Sequence, residues 1–136
     1  MKLKNQEFLK PFFPKIDKTT YLKDQLIEIE YNQDNLSIKG LGKIKLEKDF
    51  ENINFFISKI KDNFSFDTQI DLEKTSFNID FLNFKKENDS KTKLKIAGNY
   101  NDQNDLNFSE IIILEKDNKI IFENLLLDQE NLIIKV

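Results

Sequence analysis

From Gln25 onward the chain alternates apolar and polar residues with a period of two, and nothing else in it constrains the fold so tightly. Ile27, Ile29 and Tyr31 alternate with Glu28 and Glu30. Leu36, Ile38, Gly40, Gly42, Ile44 and Leu46 alternate with Ser37, Lys39, Lys43 and Lys45, and Leu41 alone breaks the polar row. Phe64, Phe66, Ile70 and Leu72 repeat the pattern, as do Phe77, Ile79 and Phe81, then Leu94 and Ile96. Ile120, Phe122 and Leu126 follow it with breaks. Successive side chains of a strand point to opposite faces, so these runs predict a sheet with one apolar and one charged face.

Between the runs lie Asn32-Gln33-Asp34-Asn35, Lys61-Asp62-Asn63, Lys86 to Ser90, Asn101 to Asp105, Glu115 to Asn118 and Asp128 to Asn131. Asn and Asp tolerate the left-handed region and bond to their own backbone, so they make turns where Gly is scarce. Short strands joined this way predict an antiparallel meander of about nine strands. Phe50, Ile53, Ile57, Ile60 and Phe64 also fit a helical spacing, but Phe, Ile and Asn favour strand, and that stretch is read as one. The lead-in differs. Glu7 to Pro14 carries Pro11 and Pro14, which limit any helix to about one or two turns. The expected organisation is therefore a short helical or irregular lead-in over 1–24, its aromatics covering one end of the sheet, and a single β-sheet domain over 25–136. The fold class is all-β: a curled, strongly twisted antiparallel meander forming an open groove or half-barrel, with a short N-terminal helical segment.

The chemistry available to such a sheet is narrow. There is no Cys and no His, so thiolate chemistry and the commonest general base and metal ligand are missing. Glu28 with Glu30, and Asp67 with Asp71, share strand faces, but they alternate with core positions and should stand in solvent, where nothing raises a carboxyl for acid catalysis. Asn101 to Asp105 lacks the spacing, central Gly and distal Glu of a calcium loop. Gly40-Leu41-Gly42 has no phosphate-loop signature; inside a strand, paired Gly marks a bulge, a bend or close packing. No enzyme, metal or cofactor is expected. Lys+Arg number 21 against 24 Asp+Glu, and every basic residue is Lys, which argues against a nucleic-acid partner. Ala and Val occur once each (Ala97, Val136), so the missing Arg reads as AT-rich codon usage. No apolar run reaches the ~18 residues of a membrane span, and the N-terminus has no secretory h-region.

What remains is the apolar row, enriched by 13 Phe. It is the closed interior of a sandwich or the lining of a groove, and both require one apolar face. A single sheet with one short helical piece cannot leave so large an apolar face in water without a ligand or partner.

The stretch Ile38-Lys39-Gly40-Leu41-Gly42-Lys43-Ile44-Lys45-Leu46 resembles the I-x-G-x-G-x-I strand of AsmA-like proteins, and in particular the YhdP-type branch from AT-rich Gram-negative bacteria. Phe77 to Lys86, Leu94 to Tyr100 and Ile120 to Leu127 resemble the strands that follow in that branch, and Phe8 to Pro14 the segment before them. The resemblance implies an inner-membrane-anchored protein whose long β-groove crosses the periplasm and conducts phospholipid toward the outer membrane. It implies no catalytic residues. Its groove lining would here be drawn from Phe64, Phe66, Ile70, Leu72, Phe77, Ile79, Phe81, Leu94 and Ile96. The implied partners are phospholipid acyl chains and adjoining segments of a longer chain, the intact protein lying at the periplasmic face of the inner membrane. This sequence has no anchor helix and ends on Leu132 to Val136, which reads as a strand cut mid-element, so a fragment is expected. The alternative is a self-contained β-sandwich module with a closed Phe/Ile core.

Overall fold

A computed structural model describes residues 2–4, 19–79, 83–87, 90–100, 106–127 and 133–135. The expected meander is present. Its strands are β1 (Lys2–Lys4), β2 (Thr19–Asn32), β3 (Asn35–Lys45), β4 (Phe50–Ile60), β5 (Asn63–Leu72), β6 (Phe77–Ile79), β7 (Phe84–Lys86), β8 (Thr92–Tyr100), β9 (Leu106–Glu115), β10 (Asn118–Leu127) and β11 (Ile133–Lys135). Nine of them form one antiparallel sheet in the order β1-β2-β3-β4-β5-β8-β9-β10-β11, and β6 and β7 form a separate hairpin. Seven long strands carry the sheet; three-residue strands flank it at either side.

Three hairpin loops are only two residues long: Gln33-Asp34, Lys61-Asp62 and Lys116-Asp117. In each, the first residue takes a positive φ, between 46° and 56°, so polar residues do the work usually given to Gly. The ambiguous stretch from Phe50 is a strand, as its composition predicts.

Two expectations need correction. The sheet is neither closed nor strongly curled. Curl is built by bulges repeated along a sheet, whereas β3, β4, β5 and the start of β8 pair without a register shift. The departures lie outside this block, between Lys23 and Leu26 on β2, between Ala97 and Gly98 where β8 meets β9, and between Leu126 and Leu127 on β10. The bounds of the lead-in change: within the expected 1–24, residues 2–4 and 19–24 are strand, in β1 and β2. The stretch 5–18, including Glu7 to Pro14 where the helical turn is expected, lies outside the described residues, and no helix occurs among those described. The early start of β2 was hidden by its bulge. Asp24 and Gln25 together face the single residue Gly42, with Asp24 at φ 52°. The extra residue reverses the alternation, so Leu22 shares a face with Ile27 although one number is even and the other odd.

The register places the apolar rows in line across the strands. Ile53, Ile70, Leu94, Ile113 and Ile120 are successive cross-strand neighbours. At this end of the sheet the β6–β7 hairpin lies over the apolar face. Phe77 joins Ile44, Leu46, Ile70, Leu72, Leu94 and Ile113 in the buried core, with Phe84 packed against it.

Candidate functional site

The hairpin covers one end of the apolar face and leaves the other open. The covered end is fixed by polar contacts as well as by packing. The buried Glu51 carboxylate on β4 accepts backbone N–H groups from Glu73 (2.9 Å), Lys74 (2.7 Å) and Thr75 (2.9 Å) and the Thr75 hydroxyl (3.0 Å). Ser76 donates to Glu47 at 2.8 Å. Lys86 is fully buried, and its Nζ donates to the carbonyl oxygens of Thr75 (2.8 Å) and Glu87 (3.0 Å). A buried carboxylate and a buried ammonium are tolerated because each is surrounded by backbone groups of opposite polarity. The loop after β5 is thereby held against β4, and the hairpin's position follows.

Past the hairpin's reach the same face opens into a shallow depression of about 640 Å³. Ile53, Phe55 and Ile57 of β4 form its floor, with Phe64 and Phe66 of β5 beside them and Leu22 and Ile44 toward the core. Its floor depends on glycine. Gly40 lies directly opposite Phe55, and a Cβ there would collide with the Phe55 ring. The far end of the ring therefore occupies the space that a side chain at Gly40 would fill. Gly98 plays the same part for Phe66, whose ring meets Phe108 edge-on at 6.0 Å between centroids. Gly42 has a different purpose: its missing Cβ admits the Gln25 side chain, whose Nε2 donates to the Lys23 and Lys43 carbonyls across the bulge. Close packing and a bulge, two of the expected meanings of paired Gly, thus occur side by side.

The candidate residues fall into separate places. Phe64 and Phe66 line the depression. Ile70, Leu72, Phe77 and Leu94 lie in the buried core beneath the hairpin, and Ile96 packs against that core. Ile79 is on β6, opposite Phe84. Phe81 lies outside the described residues. Sequence reasoning passed over Leu22, Ile53, Phe55 and Ile57. A usable signal existed for Phe55, since two Gly in an otherwise apolar row leave space that a ring on the next strand can fill. It was blurred because β4 also carries Phe56 and Ile60 on its other face.

The paired carboxylates lie on the polar face. Glu28, Glu30 and Asp67 are exposed, and Gln69, between Asp67 and Asp71, donates to Asp71 at 3.4 Å. Among the described residues no three Asp or Glu side chains gather as a metal site would require. Comparison with protein-family models, with curated proteins and with solved structures finds no match to this chain.

Proposed function

We propose that this chain is a non-enzymatic section of an AsmA-like envelope protein, and that the open end of its apolar face shields lipid acyl chains during phospholipid transfer between membranes. One observation carries the reading: the depression over β4 and β5 is walled almost wholly by aliphatic and aromatic side chains and opens to solvent. Its volume lies within the range of about 300–1,000 Å³ typical of small-ligand sites. Acyl chains would be held by desolvation alone, each buried CH₂ contributing about 0.8 kcal/mol. Headgroups would stay in water, since the described residues that line the depression carry no charge. Lipid selectivity would accordingly be low. A closed sandwich is less well supported, because among the described residues the only second layer is a hairpin of two three-residue strands.

The test is lipid extraction and native mass spectrometry of the chain purified from bacteria. Co-purifying phospholipid is expected, and it should be lost in Phe55→Asp and Phe66→Asp with the β-sheet circular dichroism retained. A folded wild-type chain free of lipid would overturn the reading.

A further inference from the structure

The polar face is not uniformly polar. On β2, β3 and β4 it carries Leu26, Leu41, Phe50 and Phe56, all exposed, the two leucines at 61% and 55%. Leu26 and Leu41 are direct cross-strand partners, and Phe56 lies diagonal to Leu41. Around them on the same face stand Lys23, Lys39, Lys43 and Lys45. Lys23 lies 5.5 Å from the Phe50 ring centroid and Lys45 lies 5.7 Å from that of Tyr21, so ammonium groups and rings are interleaved. On β2–β4 this face holds these four lysines against two glutamates, Glu28 and Glu30. Glu28 is opposite Lys39 and Glu30 lies beyond it, while Asp67 and Asp71 on β5 bound the patch on the other side.

We propose that this basic, apolar-studded face of β2–β4 seats on an anionic lipid surface. The proposal goes beyond the acyl-chain reading, since it concerns the opposite face and different residues. Three features select a bilayer. The lysines can reach headgroup phosphates while their stems lie along the protein. Leu26 and Leu41 have no use in stacking on nucleic-acid bases, whereas aliphatic side chains are suited to the headgroup–acyl boundary. The β3–β4 ladder is unbroken from Asn35↔Ile60 to Lys45↔Phe50, so Lys39, Leu41, Lys43 and Phe56 hold fixed neighbouring positions on one face and can meet one surface together. A nucleic-acid partner would be served better by Arg, of which the chain has none.

The experiment is flotation of the full chain with vesicles of phosphatidylglycerol and phosphatidylcholine, against phosphatidylcholine alone and against single-stranded poly(U). Binding to the anionic vesicles should exceed binding to the neutral ones by more than about tenfold and weaken as salt is raised. Lys39→Gln and Lys43→Gln should each lose about fivefold. Leu41→Asp should also weaken binding, whereas Lys59→Gln and Phe55→Asp, both on the apolar face, should leave it unchanged. Equal binding to both vesicles, indifference to the Lys39 and Lys43 substitutions, or tighter binding to poly(U) than to vesicles would overturn the proposal. Because Phe55→Asp removes the acyl site alone, either reading can fail while the other stands.

Discussion

At one end of the apolar face Leu72 and Leu94 are 0% and 1% exposed beneath the β6–β7 hairpin; at the other, Ile29 and Tyr31 are 64% and 76% exposed. Both ends belong to one face and obey one alternation. The difference is made by the β6–β7 hairpin between β5 and β8, which lies over the sheet instead of continuing it. It is held there by Glu51 and Lys86, neither of which belongs to the apolar pattern. Apolar patterning therefore specifies that a face will be covered or occupied, while the placement of a few buried polar groups specifies which part of it the chain covers itself.

The contrast is broken most severely from the covered end. Leu72→Ala should cost about 2–5 kcal/mol, since the side chain is wholly buried and the surrounding strands can collapse only in part. Urea unfolding followed by circular dichroism measures it. The same truncation at Phe64, on the rim of the depression, should cost well under half as much. Comparable losses would mean that the two ends are equally packed.

Next in size is the polar clamp. Glu51→Ala removes the acceptor of three consecutive backbone N–H groups and the Thr75 hydroxyl, so a loss of about 2–3 kcal/mol is expected. Its diagnostic consequence is local. Hydrogen exchange at Glu73, Lys74 and Thr75 should accelerate far more than exchange at the far end of the β3–β4 ladder, from Asn35↔Ile60 to Lys39↔Phe56, which lies away from Glu51. Uniform acceleration across the sheet would show that the hairpin is held by packing instead.

The glycines give a finer test. At Gly98 an added Cβ would press on the backbone carbonyl of Asn107, which is pinned in the β8–β9 ladder. At Gly40 it meets only the ring of Phe55, a half-buried side chain that can swing into the open depression. Gly98→Ala should therefore cost about 1–3 kcal/mol and Gly40→Ala less than about 1 kcal/mol. The smaller change should still reduce acyl-chain binding, because the displaced ring would fill the site. Equal costs would mean that the floor around Phe55 is as rigid as the ladder.

These contrasts also mark what the sequence made legible. Period-two alternation and Asn/Asp turns were enough for the antiparallel meander and for the partition of residues between faces, because both depend on local geometry. The start of β2 was not legible, since a bulge at Asp24 and Gln25 reverses the phase. Nor was the division of the apolar face. Phe64 and Leu72 occupy the same row of the same strand and look alike in sequence; what separates them is a long-range contact made by the hairpin. Glu51 looked like any polar residue at the start of a strand, and only the return of the chain at Glu73 to Thr75 gives it four donors.

The smallest expected effect decides the most about the open end. Ile29→Thr keeps the β-branched shape on a strand that favours it and removes apolar surface that stands largely in water. Its stability should change by no more than about 0.5 kcal/mol in the isolated, lipid-free chain. A near-zero value would fit an apolar surface that the chain itself leaves uncovered. A loss above about 1.5 kcal/mol would place Ile29 in a packed interior. Some part of the chain would then already cover this end, and the contrast between the two ends would disappear.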